Sequence, residues 1–464
     1  MITVISLTKS EGEDQQDTVT KLEKQCKKKG VAFYPVKLGE AFVIHQELGQ
    51  DKVTIHNYDG ENGKINLKPS NTVCFVRGGA LTDIAGKGLT RSLEETGMFM
   101  VNRYVPMELC ANKFTTAITL QKNKIPTPRT ALVTNLQSVE VAMKEIGGSY
   151  PVIAKTITGA EGIGVMKVES EDSLRSVLQG LWKHDAEIIL QEYKDIDYDV
   201  RTLVLDGEII ASMKRISGKG KKGKDFRTNK SLGNETEPYE LSDEEKKVVL
   251  KAHEASGCYY SGVDTMISGG KVYVIEVNGS PGSGADAYAS YSEGKRGKDI
   301  NGNKLISNVL DHILNKDNWQ FAKTSVGVIE WVTIEGEKFK AKLDTGNSTG
   351  GIGLHAEDIK VDGNKVSFKL STGKKITTPI KKRKKVNYGG GEVEERIYVK
   401  LKMSLGSGKA KPTMFNLDNR SGNAYDVLVD KDYLALNNLV VDSSKKFTIG
   451  ESRKRVSTFS EMYI

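Results

Sequence analysis

The sequence predicts a multidomain chain: an α/β unit, then a mixed α+β unit, then an all-β unit. Three observations carry this. Strand and helix signals alternate over residues 1–110. Helical periodicity and β-rich runs mix without regular alternation over residues 111–316. From residue 325 to 464, short β-branched runs are broken by Gly, Asn and Asp, with hardly any helical periodicity. A length of 464 residues agrees with two to four domains, at ~150 residues each.

In the first unit, Ile2–Leu7 is a short apolar run. Asp17 is placed to cap a helix whose apolar face is Val19, Leu22 and Cys26, and Gly30 ends it. Asn71–Arg77 reads as a further strand, stopped by Gly78-Gly79. In the second unit Pro126 and Pro128 punctuate the entry, and helices are expected at Val139–Ile146 and Leu174–Leu181. Another begins at Ser242, where Ser-Asp-Glu-Glu forms a capping box, and stops at Gly257. Between them lie strand runs at Pro151–Thr156, Ile188–Glu192, Val200–Ser212 and Val272–Val277.

Composition excludes several classes. Hydrophobic residues make up 38% and charged residues 28%, and no apolar run approaches the ~18 residues of a membrane span. The opening Met1–Leu7 runs into Thr8, Lys9 and Glu11 without a signal-peptide cleavage pattern. Cys26, Cys74, Cys110 and Cys258 are scattered, with neither a disulfide-framework nor a zinc spacing. A cytoplasmic protein with no membrane partner is expected.

Residues 325–464 hold 25 Lys+Arg against 17 Asp+Glu, and the remainder holds 43 of each, so the whole excess of +8 lies in the last third. Aromatic residues are not interleaved with it, which argues against nucleic acid as a partner. The run Lys381-Lys382-Arg383-Lys384-Lys385 is either a solvated β edge or an attraction for an acidic peptide.

The second unit holds the chemistry. Strand alternation puts Ile153 and Lys155 on one face. Gly159-Ala160-Glu161-Gly162-Ile163-Gly164 follows as a Gly-rich turn, whose amides can approach phosphate oxygens where no Cβ intervenes; a plain β-turn would read the same way. It is not a Walker A loop, because no Gly-Lys-Ser/Thr follows. Further on, Lys271–Asn278 is a strand with Glu276 and Asn278 on one face, and Asp264 is a third oxygen donor from a neighbouring strand. Two carboxylates and an amide are the hard ligands that Mg²⁺ accepts when nucleotide phosphates fill its other positions.

Taken in order, Ala111-Asn112-Lys113-Phe114, Lys155, the Gly-rich loop, Gln191-Glu192-Tyr193, Asp199-Val200-Arg201, Asp225-Phe226-Arg227-Thr228-Asn229 and Val277–Gly282 resemble ATP-grasp ligases of the RimK type, over residues 70–315. That resemblance implies an α+β ATP-grasp ligase with an N-terminal α/β domain. Such an enzyme activates a carboxylate as an acylphosphate, which an amine attacks to give an amide. The RimK type adds glutamate to a protein's C-terminus.

By motif, Lys113 and Lys155 would hold the phosphates of ATP. Gly162 and Gly164 would shape the loop over them, and Gln191, Glu192 and Tyr193 would border the adenine end. Asp199 and Asn229 would complete the nucleotide site. Asp264, Glu276 and Asn278 would bind Mg²⁺, or Mn²⁺ in its place. Arg201 and Arg227 would stabilise the acylphosphate and the oxyanion, or else form surface ion pairs. The Gly/Lys stretch at 216–224 departs from the family pattern and reads either as a basic flap or as a loop without function.

In the last third, Lys342-Leu343-Asp344-Thr345-Gly346 runs a strand into an Asp-Thr-Gly turn. With Phe339–Asp344, Gly353–Asp358, Val427–Leu434 and Leu439–Asp442, it resembles the all-β retropepsin-like domain associated with RimK-type ligases, over residues 326–450. The resemblance makes Asp344 a catalytic carboxylate. A single Asp-Thr-Gly requires a second chain to supply the pair, so a homodimer or higher even oligomer is expected. Asn347 stands where Ala is usual, and Asp430 follows the apolar pair where Gly is usual; both leave a binding domain without hydrolysis open. Three functions follow: a glutamate ligase whose β domain binds or trims the product, a ligase making a small peptide-like metabolite, and a non-enzymatic nucleotide-binding module.

Overall fold

The computed structural model describes residues 2–9, 13–48, 52–56, 63–81, 83–159, 162–217, 227–228, 235–282, 288–290, 298–299, 303–321, 324–387, 393–406, 408 and 410–449. They form two compact units, Met1–Gln320 and Phe321–Ile464. No helix among the described residues is long and apolar enough to cross a membrane.

The first unit opens with β1 (Thr3–Lys9), α1 (Glu13–Lys28) and β2 (Ala32–Leu38). Next come the short strands β3 (Phe42–Val43), β4 (Val53–His56) and β5 (Lys64–Leu67), then β6 (Thr72–Val76), α2 (Ile84–Glu95) and β7 (Phe99–Val101). A parallel sheet of order β2-β1-β6-β7 results, with β3-β4-β5 as a separate antiparallel sheet. The centre of β1 and all of β6 are buried, as expected of parallel strands covered on both faces. One expectation is corrected here, and one feature is new. Helix α1 begins at Glu13, so Asp17 lies inside it rather than capping it; Glu13, Gln15 and Gln16 are good helix formers and extend it by a turn. The β3–β5 sheet was not anticipated, because its strands are too short to show a period.

The unit continues through α3 (Tyr104–Ala111), α4 (Lys113–Lys122), β8 (Thr130–Val133), α5 (Leu136–Ile146), β9 (Val152–Thr156), β10 (Val165–Val168), α6 (Glu171–Trp182) and β11 (Ile188–Glu192). Strands β10-β9-β11-β8 form one antiparallel sheet. Behind it, Val139, Met143 and Ile146 of α5 and Leu174 and Leu178 of α6 pack against Val152, Ala154, Ile188 and Leu190.

A larger sheet follows from β12 (Tyr198–Leu205), β13 (Glu208–Ile216), β14 (Thr236–Pro238), β15 (Tyr260–Ser268), β16 (Lys271–Asn278), β17 (Tyr288–Ser290) and β18 (Lys298–Asp299), with α7 (Asp243–Ser256) and α8 (Asn303–Leu314). Its order is β16-β15-β12-β13-β17-β18, with β14 on β13. Helix α7 carries the reciprocal capping box of Ser242 and Glu245 and ends on Gly257 at φ +68°.

The second unit is a ten-stranded sheet closed by β19 (Thr324–Ile334), β20 (Glu337–Leu343), β21 (Ile352–His355), β22 (Glu357–Asp362), β23 (Lys365–Lys369), β24 (Lys375–Asn387), β25 (Val393–Leu405), β26 (Lys411–Asp418), β27 (Val427–Val429) and β28 (Leu439–Lys446). The order is β22-β23-β24-β25-β26-β21-β27-β20-β19-β28, with β25 also pairing β19. Among its described residues one helix, α9 (Lys431–Leu436), interrupts the β texture. Asp430 caps it by accepting from the Tyr433 amide at 3.2 Å, a role that explains a carboxylate where the resemblance expected Gly.

Glu330, 0% exposed, ties β19 to the segment after β28. Its carboxylate accepts the amides of Gly327 at 2.7 Å, Thr448 at 2.7 Å and Ile449 at 3.2 Å, and the Thr448 hydroxyl. Glu330→Gln sets an amide donor against these donors. It should lower the stability of this unit by about 1–3 kcal/mol, read as faster hydrogen exchange in β19 and β28. Unchanged exchange would remove the anchoring role.

Candidate active site

A cleft with about 990 Å³ of empty space lies between the β8–β11 sheet and the β12–β16 sheet. Lys113, Lys155, Gly162, Gln191, Glu192, Tyr193, Asp199, Arg227, Asp264 and Glu276 all line it. One wall supplies cations. Lys155, on β9, donates to Gln191 Oε1 at 2.7 Å, and Gln191 in turn donates to the Thr130 hydroxyl at 2.9 Å. Lys113 opens α4, whose N-cap Asn112 accepts from the amides of Phe114 and Thr115. Its amine donates to the Gly159 carbonyl at 2.8 Å. Burial lowers the pKa of both lysines, Lys155 to about 8. Half-buried amines with a pKa depressed by desolvation are short of a negative partner.

The turn between β9 and β10 requires its glycines. Gly162 sits at φ +76° and Gly164 at φ +75°. A Cβ on Gly164 would lie 2.5 Å from the Thr156 hydroxyl, whose partner is the Thr158 carbonyl at 2.7 Å. Arg227 closes the loop from the other side, donating to the Gly162 carbonyl at 2.8 Å. Lys113 and Arg227 thus hold two loop carbonyls in place.

The opposite wall is an ion network written by strand register. Arg201 of β12 stands opposite Asp264 of β15, and Asp264 opposite Glu276 of β16; Asp199 faces Arg215 of β13. Asp264 accepts Arg201 Nε at 2.7 Å, Arg201 Nη2 at 2.6 Å and Arg215 Nη2 at 2.7 Å. Asp199 accepts Arg215 through Nε and Nη2, both at 2.6 Å, and the Thr228 hydroxyl at 2.6 Å. Burial pushes Asp264 up, but Arg201 and Arg215 outweigh it and hold the carboxyl well below the usual range. Glu276 is different. Burial and the neighbouring Asp264 charge push it up, although Arg201 lies 3.5 Å away.

A divalent cation fits this donor set. Among the described residues no three His, Cys, Asp or Glu cluster; a divalent cation would find the Glu276 carboxylate and the Asn278 carboxamide as hard oxygen donors beside an Asp264 already held by Arg201 and Arg215, and would leave the remaining positions to phosphate oxygens and water. A cation there would relieve the charge disfavoured on Glu276. The Asn278 oxygen accepts from the Ser280 amide at 2.9 Å, which orients it. The Ser280 hydroxyl accepts from the Gly78 amide at 2.9 Å, and Arg77 donates to the Pro281 carbonyl at 3.2 Å. Arg77, 2% exposed, therefore anchors this turn.

At the far end Glu192 accepts from Lys194 at 2.5 Å and from Arg129 at 3.4 Å, and the Tyr193 hydroxyl donates to Asp195 at 2.9 Å. Asn229, with Asp225 and Phe226, lies outside the described residues. Asp344 belongs to the second unit. It follows β20, donates its amide to Val429 at 2.9 Å and accepts from the Gly346 amide at 2.9 Å.

Sequence reasoning assigned no role to Arg215 or Thr228. Arg215 did leave a signal: it shares a strand face with Ala211 and Met213, a guanidinium on an otherwise apolar stripe.

Comparison with known proteins follows the same division. Residues 110–291 match the RimK-like ATP-grasp domain, and residues 325–452 match the retropepsin-like aspartic endopeptidase RimB. A probable alpha-L-glutamate ligase of Pseudoalteromonas translucida is 31% identical over 251 residues, 54% of this chain and 80% of the relative. The coenzyme gamma-F420-2:alpha-L-glutamate ligase of Methanococcus maripaludis is 31% identical over 199 residues, 42% of this chain and 67% of the relative. In fold, D-alanyl-alanine synthetase A of Vibrio cholerae superposes with a TM-score of 0.50 at 14% identity, covering 68% of this chain and 97% of the synthetase. With four-fifths of a probable alpha-L-glutamate ligase's length covered at 31% identity, and with a matching domain placed over the cleft itself, the chain belongs to the RimK-like ATP-grasp ligase family.

Proposed function

We propose that the chain is an ATP-dependent carboxylate–amine ligase that adds glutamate to the C-terminus of a peptide or protein, and that its last third binds or trims the product. We assign residues 1–110 to an N-terminal α/β domain, 111–316 to the ligase and 325–464 to the retropepsin-like domain. The observation that carries the reading is the cleft's polarity: two partner-poor lysines face a carboxylate pair across it. An ATP polyphosphate with Mg²⁺ satisfies both walls at once. The metal would sit on Asp264, Glu276 and Asn278 and supply charge neutralisation to the phosphates; Mn²⁺ meets the same donors.

Lys113 and Lys155 then leave the Gly159 carbonyl and Gln191 for phosphate oxygens. A substrate carboxylate attacks the terminal phosphorus, ADP departs and an acylphosphate forms. The incoming amine attacks the acyl carbon, and phosphate leaves as the amide forms. Arg201 and Arg227 are fixed guanidinium donors that suit the negative charge of both steps, because their positions are set before reaction. Glutamate as the added residue is supported by the names of the relatives, and the +8 of the last third suits an acidic product. In that third, two copies of Asp344 meeting in a dimer would share a proton and activate water for hydrolysis.

The test is ADP release with Mg²⁺ and each amino acid in turn, with products weighed, for wild type and Asp344→Asn. A ladder of glutamate additions that lengthens in the variant supports ligase and peptidase together. Identical ladders leave a ligase with a binding domain. No amino-acid stimulation of ADP release sinks the proposal. A product formed from free amino acids alone would favour the small-metabolite reading.

A further inference from the structure

The first unit holds two cysteines that the proposed chemistry does not use. Cys110 lies in the last turn of α3, and Cys258 follows the Gly257 cap of α7. Separated by 148 residues in sequence, their sulfurs stand 3.6 Å apart. Cys258 is 6% exposed and Cys110 is half-buried. A disulfide bond is about 2.05 Å long, so a small approach of α3 to the start of β15 would join them.

The pair is the floor under one end of the candidate site. Gly279 directly follows Asn278, and a Cβ on it would lie 3.0 Å from Met107 Sδ, 3.4 Å from Cys110 Cβ and 3.6 Å from Cys258 Sγ. From the side, Asn102 donates to the carbonyls of Gly279 at 2.6 Å and Tyr260 at 2.5 Å, and accepts from the amides of Tyr259 at 2.6 Å and Tyr260 at 2.7 Å. Three segments therefore rest on the two sulfurs: the end of α3 leading to Lys113, the start of β15 leading to Asp264, and the turn behind Asn278. Close packing transmits displacement rather than absorbing it. Drawing the sulfurs together would therefore disturb the packing behind Gly279 and Asn278.

We propose that Cys110 and Cys258 form a redox-responsive dithiol, oxidised by peroxide to a disulfide that lowers turnover in the cleft. Cys258, whose thiolate the hydrogen bonds from Cys110 and Ser256 favour, attacks one peroxide oxygen; the O–O bond breaks, water leaves and a sulfenic acid remains. The Cys110 sulfur then displaces that oxygen, which departs as a second water with the remaining thiol proton. Overall two thiols and one hydrogen peroxide give one disulfide and two waters. A dithiol reductant reverses the reaction by exchange. The effect on turnover rests on the ligase reading, whereas formation of the bond does not.

The experiment uses the reduced full chain exposed to hydrogen peroxide, then alkylated, digested and mapped by mass spectrometry, with ADP release measured in parallel. The expected result is a Cys110–Cys258 cross-linked peptide, two hydrogens lighter than its parts, with Cys26 and Cys74, both 0% exposed, recovered alkylated after denaturation. ADP release should fall at least about five-fold and return with dithiothreitol. Cys110→Ser should match the reduced wild type and keep its activity in peroxide; Cys258→Ala gives the same readout from the other partner. Absence of the cross-linked peptide overturns the proposal, as does a complete cross-link with unchanged ADP release. A reduced protein that releases no ADP fails the ligase reading alone, and the peptide map still decides the disulfide.

Discussion

Arg215→Met should lower the stability of the β12–β16 sheet by about 3–5 kcal/mol and cut ADP release by at least about 10²-fold. Arg215 is 4% exposed at its side chain and bridges Asp199 and Asp264, which are 5% and 2% exposed. Burial pushes its guanidinium pKa down, yet the two carboxylates outweigh that and raise it. Removing it does not strand both carboxylates equally. Asp264 keeps two hydrogen bonds from Arg201, whereas among the described residues Asp199 keeps only the Thr228 hydroxyl. The cost therefore falls on Asp199, and Asp199→Asn in the same chain should recover part of it. Hydrogen exchange of β12, β13 and β15 in urea reads the stability, and a double-mutant cycle reads the coupling. Activity should not return with stability, because Asp264 and Arg201 would still lack their third member and Asp199, which lines the cleft, would be altered as well. Wild-type stability and turnover in Arg215→Met would show that the network is dispensable.

That contrast shows what was legible in the sequence. Local chemistry was: the Ser242–Glu245 capping box, the glycine turn after β9, and the strands that bring Lys155 and Glu276 to the cleft are all written within a few residues. Asp264 was legible as a neighbour-strand donor because β15 and β16 are joined by a short turn. Contacts made across long stretches of chain were not. Arg77 reaches the turn at Ser280 and Pro281 some two hundred residues on. The four cysteines looked scattered until the fold set two of them in contact. Arg215 announced itself only as a charge on an apolar face, with no hint that two aspartates would meet it. The short β3–β5 strands and the helix α9 fall below the length at which periodicity speaks. Asp344 shows the converse: its Asp-Thr-Gly turn was legible as local sequence, and the structure adds the two backbone hydrogen bonds that fix it after β20.

Lys155→Met should make the nucleotide-free protein more stable at neutral pH while weakening ATP binding by about 10²-fold. Both effects come from one half-buried amine whose hydrogen-bond partner is the neutral Gln191 amide rather than an anion. Its pKa is depressed from 10.5 to about 8, so between those values the unfolded chain binds more protons than the folded one. Stability contributed by this group therefore rises with pH across that window, and below about pH 8 the fold carries the whole penalty of the buried charge. Methionine removes the penalty. Bound polyphosphate removes it too, by supplying the missing anion, so binding above pH 8 must draw in a proton. Wild-type affinity should fall as pH rises through about 8, and calorimetry in buffers of different ionisation enthalpy should show proton uptake there. Lys155→Arg, charged throughout, should remove most of that dependence and leave the part due to Lys113, which burial lowers in the same direction. Affinity that stays flat from about pH 7 to 9.5, with no proton uptake, would mean that this amine does not meet the phosphates. A stabler Lys155→Met that no longer binds ATP would show instead that the fold tolerates a destabilising charge because the nucleotide completes it.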